Sequence, residues 1–341
     1  MLKSLALRLL LVPGAEALFA PFARGRAVVF MLHRFRSPEH PGDGCDAATV
    51  RRALAHLRRE RYHILSIEEL VRAAIEHRVP NRAVAFTIDD GYLDHATIAA
   101  PVFAEFDCPV TTFVTTGFLD GDLWFWWDRI EHIFKSTRRR AVGVALIDRQ
   151  LEYRWDNEIE RIRAQIDFTE ECKRIPDFEK HDAIAQLAAA ADVALPEAPP
   201  IEYAPMSWQQ LRACEKRGMT FGAHTVTHPV LSRVSAERSC WEITESWRRL
   251  REEAAAPVPV FCYPNGRPSD FSQREIETLE ELEFLGAVVG SEGIVSSRAT
   301  LQAEGGAFAV RRYPFPDELP RLLQYVSGAE CARAMLRGEP V

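Results

Sequence analysis

The chain has 341 residues, 47% of them hydrophobic and 27% charged, with a formal charge of -7. These values exclude a disordered chain and a membrane-embedded one, and the length allows one large α/β domain or two smaller ones. The acidic balance gives no basic footprint for nucleic acid, and seven scattered cysteines without a Cys-x-x-Cys pair fit free thiols of a reducing, cytoplasmic compartment.

In chain order, Leu2 to Phe19 is apolar, but Arg8 interrupts the run, Pro13-Gly14 breaks it and Glu16 follows. With no small-residue cleavage site it reads neither as an export signal nor as a membrane span. The expectation for residues 1–26 is a helical segment packed on the domain. A peripheral membrane contact through the Lys3 and Arg8 face is the alternative.

Beyond it, short apolar runs alternate with helical patterns. Ala27 to Leu32, Ala83 to Ile88, Val110 to Val114, Thr220 to Ala223, Val258 to Tyr263, Ala287 to Val289 and Phe308 to Val310 read as strands; Ala47 to Glu60 and Ile67 to His77 read as helices. Such alternation predicts β/α units and a mainly parallel sheet or barrel. Between about 119 and 205 it lapses into the aromatic run Trp124-Phe125-Trp126-Trp127, a hairpin from Val142 to Trp155, and a charged helical region from Asn157 to Asp192. Four prolines then lead to a capping-box helix start at Ser207 to Gln210. This stretch reads as an insertion within one domain covering 27–325, with 326–341 as a tail.

Two polar clusters end apolar runs: Asp89-Asp90-Gly91, and His224-Thr225-Val226-Thr227-His228. Together they supply one carboxylate and two imidazoles to a divalent metal and leave a second carboxylate free as a base. Three protein ligands with an open position are the set of a catalytic zinc site. Gly91 lets the chain turn at once, so that both aspartates reach the mouth of the site. Taken singly, each cluster is weak: Asp-Asp-Gly is common in turns, and ten histidines make a His-x3-His spacing common by chance. Pro229 and the lack of a Glu after His224 speak against a zincin helix. The joint context is stronger, because a third strand end, Phe261-Cys262-Tyr263-Pro264-Asn265-Gly266, follows in order.

With these three motifs in this order, the sequence resembles the polysaccharide deacetylase family, the NodB-homology domain of carbohydrate esterase family 4. The resemblance covers about residues 27 to 118 and 207 to 316. It implies a distorted (β/α)7-type barrel, here with a helical insertion, and a metal-dependent hydrolase that removes acetyl groups from glycans. Thr87-Ile88-Asp89-Asp90-Gly91 matches the first motif with Ile in place of Phe. By resemblance Asp89 is the general base, Asp90, His224 and His228 are the metal ligands, and the Tyr263 amide helps hold the oxyanion, with Pro264 beside it. The implied metal is zinc, with cobalt, nickel or manganese as alternatives.

One motif is missing. Many members carry a late Leu-x-His whose histidine protonates the leaving amine, and here no histidine follows His228. His33, at the end of the first strand, is the candidate replacement, as in branches that resemble a circular permutation with an early histidine. A structural histidine in a β/α turn is the alternative. Trp126 and Arg267 are candidate substrate-binding residues; core packing and a surface salt bridge are their ordinary fates. Arg312 is a further candidate; it and Arg267 could orient the base or bind a phosphate on a lipid-linked glycan, a surface salt bridge being the commoner fate of arginine.

The function expected is N-deacetylation of an N-acetylhexosamine in a polysaccharide or glycan precursor. A catalytically silent glycan-binding protein and an O-deacetylase are the alternatives. Retention of Asp89 favours the enzyme.

Overall fold

The computed structural model describes residues 7, 9–12, 14–147, 149–296 and 305–338. Seven short strands carry the site: β1 (Arg26–Leu32), β2 (Ala83–Asp90), β3 (Val110–Val114), β4 (Met219–Ala223), β5 (Val260–Cys262), β6 (Gly286–Val288) and β7 (Tyr313–Pro314). β1 to β4 form a parallel ladder in chain order. β5 pairs in parallel with β6, and β7 returns to pair in parallel with β1. The joints between these groups are single bridges, Phe221 to Pro257 and Val288 to Val310. At the first, the Val258 amide donates to the Phe221 carbonyl at 2.7 Å. The ring is therefore a parallel α/β barrel distorted at β5 to β7.

All eight residues of β2 are buried. A strand covered on both faces needs no polar alternation, which explains the continuous apolar run before Asp89.

The helices are α1 (Ala47–Arg59), α2 (Ile67–Ile75), α3 (Trp126–Ser136), α4 (Glu158–Cys172), α5 (Asp177–Ala190), α6 (Trp208–Glu215), α7 (Ala236–Glu253), α8 (Gln273–Glu281), α9 (Leu319–Val326) and α10 (Ala329–Leu336). Capping boxes at Ser66, Ser207 and Ser272 start α2, α6 and α8, satisfying donors that the first helical turn leaves unpaired. Residues 126–195 hold a hydrophobic cluster of their own, built from α3, α4, α5 and the hairpin Ala141–Leu146 and Arg149–Arg154.

Two expectations change. Phe308 to Val310 is not a strand: Gly305 and Gly306, at φ 84° and 54°, open a 3-10 turn over Gly306–Ala309, and Val310 makes only a bridge. The seventh strand comes at β7 instead. Residues 329–336, left as tail by the sequence, form α10, with Cys331 and Ala332 buried.

The N-terminal segment forms 3-10 turns at Leu9–Leu11 and Ala15–Ala23; Lys3, Arg8 and Pro13 lie outside the described residues. It lies at the starts of the strands, where the Gly25 amide donates to Asn81 Oδ1 at 3.1 Å and Glu16 accepts from the Tyr62 hydroxyl at 2.8 Å. Among the described residues no helix is long and apolar enough to cross a membrane.

Candidate active site

The opposite end of the barrel, at the strand C-termini, holds a cavity of about 1080 Å³. This is where loops after parallel strands place functional groups. His33, Asp89, Asp90, His224, His228, Tyr263, Arg267 and Trp126 all border it. Pro264 is buried and does not.

The turn that presents both aspartates begins at Asp90 itself, at φ 89°, and continues through Gly91 at φ 100°. At φ 100° any side chain at 91 would be strained, and it would also displace Leu119 Cδ1, 2.6 Å away. Thr225 and His228 also sit at positive φ, 67° and 56°. Left-handed backbone at non-glycine residues is uncommon and collects at functional sites.

Asp90, His224 and His228 converge. Asp90 Oδ1 lies 3.7 Å from His224 Nε2 and 3.6 Å from His228 Nε2. Two donors about 2.1 Å from a tetrahedral zinc stand roughly 3.4 Å apart, so the trio fits a divalent ion closely. His224 Nδ1 donates to the Cys262 carbonyl at 2.7 Å, which leaves the lone pair of Nε2 facing Asp90. Burial pushes Asp90 well above the usual carboxylate range, with Asp89 and Asp128 adding repulsion. Burial pushes His224 down to about 4 and His228 further below its ordinary value. A buried carboxylate beside two neutral imidazoles is the donor set that a cation stabilises.

Asp89, Cys262 and His224 also cluster tightly. There the cation is already a guanidinium, since Arg312 Nη2 lies 3.4 Å from Cys262 Sγ and also donates to Asp89.

Arg312 is buried and forks onto Asp89, Nη1 to Oδ1 at 2.7 Å and Nη2 to Oδ2 at 2.8 Å. Its Nη1 also donates to Thr87 Oγ1 and its Nε to the Val289 carbonyl, both at 3.0 Å. Burial alone would raise Asp89, but the charge and hydrogen bonds of Arg312 outweigh it and hold the carboxyl below the usual range. His33 Nε2 stands 3.8 Å from Asp89 Oδ2, with its side chain half exposed to the cavity.

The Tyr263 amide, expected to face an oxyanion, donates to the Val288 carbonyl at 3.3 Å, a long bond between β5 and β6. Beside it Asn265 lines the cavity with Nδ2 buried and without a partner. The aromatic run divides. Trp126 is 3% exposed, belongs to the insertion core and carries Lys180 over its ring at 4.7 Å, so little of its face is left for a sugar. Trp127 is the ring that meets the site, 4.6 Å from His228, with Nε1 donating to the Tyr92 hydroxyl at 3.0 Å.

Three site residues escaped sequence reasoning. Tyr92, next after Asp-Asp-Gly, donates to Asp128 Oδ2 at 2.8 Å. Burial pushes Asp128 up to about 8. Glu242 of α7, fully buried, accepts from the Val226 and Thr227 amides at 2.8 and 2.9 Å and from the Thr227 hydroxyl at 2.5 Å, fixing the turn between the two histidines. Only Tyr92 had a local signal, its place beside the first motif.

The polysaccharide deacetylase family model matches residues 183–284, which include the second and third motifs. Similar solved structures are the Streptococcus pyogenes deacetylase PplD in complex with acetate, at 18% identity and TM-score 0.57, covering 89% of this chain and 98% of that one. IcaB from Ammonifex degensii follows at 16% and 0.55, covering 89% and 97%. The BpsB deacetylase domain from Bordetella bronchiseptica gives 14% and 0.50, covering 85% and 96%. At these identities the structures speak to the fold. No curated protein matches the sequence. The chain thus matches the polysaccharide deacetylase family model over residues 183–284, which hold the second and third motifs, carries the first motif on β2, and shares its fold with PplD and IcaB.

Proposed function

We propose that the protein is a metal-dependent N-deacetylase of an N-acetylhexosamine in a glycan or glycan precursor. The observation that carries this is the buried trio Asp90, His224 and His228 beside an ionised, arginine-held Asp89, all opening on one cavity. A divalent metal, zinc in first place, would be held by the trio and would supply Lewis acidity and an activated water.

Asp89 then accepts the proton of the attacking water, its carboxylate kept charged and aimed by Arg312. The amide nitrogen must be protonated to leave, and His33, within reach of the same carboxylate, supplies that proton from the open side of the cavity. Developing negative charge on the acetyl oxygen needs a donor; with the Tyr263 amide given to the Val288 carbonyl, the unpartnered Asn265 Nδ2 takes that role. Arg267 borders the sugar site. Peripheral contact of the N-terminal segment with a membrane is part of the same proposal, since Leu9, Leu11, Val12 and Leu18 are exposed.

The test is acetate release from N-acetylated oligosaccharides, with zinc-loaded wild type beside Asp89→Asn and His33→Ala. Release by wild type, abolished in Asp89→Asn and lowered about a hundredfold or more in His33→Ala, supports the assignment. Binding of glycan without release by any metal-loaded form would leave a silent binding protein.

A further inference from the structure

The insertion does more than fill space beside the cavity. From α3, Lys135 Nζ reaches Asp43 Oδ2 at 3.4 Å, in the loop after β1. From α4, Glu170 Oε2 accepts from Arg267 Nη2 at 3.0 Å, in the loop after β5, and Glu170 Oε1 accepts from Lys173 at 2.7 Å. Asp43, Lys135, Glu170 and Arg267 all line the cavity.

The ladder order β1-β2-β3-β4, with β5 and β6 following and β7 returning to β1, puts β1 and β5 on opposite sides of the ring. The insertion leaves the barrel after β3, between them. It thus fronts the cavity and is tied to the rim on both flanks. Its own hydrophobic cluster makes this wall a packed body and not a loose loop.

A sugar in the interior of a polymer needs two exits, one for each direction of its chain. Here an ion pair joins the insertion to the rim on each flank, Lys135 to Asp43 and Glu170 to Arg267. The cavity, about 1080 Å³, is partly open to solvent and larger than the usual small-ligand pocket of roughly 300–1,000 Å³, and both pairs stand on its lining. Resting on the deacetylase reading above, we infer that the cleft is dead-ended and takes a short oligosaccharide or a chain end, with the Asp43–Lys135 and Glu170–Arg267 pairs as its stops.

The test is binding, which does not require turnover. Zinc-loaded Asp89→Asn protein is titrated calorimetrically with N-acetylglucosamine dimer, with tetramer, and with a long N-acetylglucosamine chain blocked at both ends by a bulky group. The dimer and tetramer bind, and the blocked chain binds at least about tenfold more weakly. Adding Lys135→Met and Glu170→Gln narrows that gap, as does raising the salt concentration, because exposed ion pairs are screened. Equal binding of blocked chain and tetramer overturns the inference, as does binding of none of the three, or a gap that the latch substitutions leave unchanged. Acetate release from the tetramer by wild type judges the deacetylase reading separately: release together with equal binding of the blocked chain means that only the length rule has failed.

Discussion

Arg312 holds both carboxylate oxygens of Asp89 from 223 positions away in the chain, donating to Oδ1 at 2.7 Å and Oδ2 at 2.8 Å. The pair joins the end of β2 to the approach of β7, so the candidate base is aimed by the last strand of a ring whose final joints are the least regular. Removing one partner from a buried pair leaves an uncompensated charge. Arg312→Met is expected to cost about 3–5 kcal/mol of stability, measured by denaturant unfolding. Arg312→Lys keeps the charge and loses the fork. It should lower kcat/KM and move the acid limb of the pH profile upward, because Asp89 is no longer held as far below its ordinary value.

Glu242 fixes the backbone between the two candidate ligands His224 and His228 without reaching the cavity. Glu242→Gln keeps the shape but removes the charge that the Val226 and Thr227 amides point at. Zinc affinity, measured by competition with a chelator, should fall about 10–100-fold while the fold is retained. An unchanged affinity would show that the turn holds itself.

Asp128 lies under the site with its carboxyl pushed up to about 8 by burial. At pH 7 it is therefore mostly protonated, and Asn is a close mimic. Asp128→Asn should change stability and activity little, whereas Asp128→Ala leaves the Tyr92 hydroxyl without its acceptor and should cost about 1–3 kcal/mol.

His95 and His224 are both pushed by burial down to about 4. In the unfolded chain each binds its proton near pH 6.5, so between 6.5 and 4 the unfolded state holds more protons than the folded one. Stability of the metal-free protein should be full above about pH 6.5 and fall progressively as the pH drops towards 4. Thermal melts across that range check the sign. Zinc should offset part of the loss, since it competes for the same His224 nitrogen.

The strands and the chemistry of their ends were legible because both are local. The apolar runs before Asp89 and His224 are strands, and the residues that end them meet. What stayed hidden was carried by contacts across the chain. Arg312 was legible as a candidate for orienting the base or binding a phosphate, but its fork onto Asp89 comes only with the fold, and Glu242 is one acid among many on an amphipathic helix. The Trp124 to Trp127 run announces packing but not which ring faces the site; α3 buries Trp126 and turns Trp127 towards His228. Phe308 to Val310 reads as a strand by composition, yet the left-handed Gly305 and Gly306 coil the backbone just before it. The missing late histidine was visible as an absence, and His33 stands beside Asp89 in the position proposed for its replacement.

Leu9, Leu11, Val12 and Leu18 stand exposed at the strand starts, on the far side of the barrel from Asp89 and His33. A bilayer touching those apolar side chains would seat the molecule upright, with the mouth of its cavity pointing outward like a cup set on its base. A glycan anchored in that same leaflet would have to arch over the height of the barrel to enter, while one drifting in from solution would meet the opening directly.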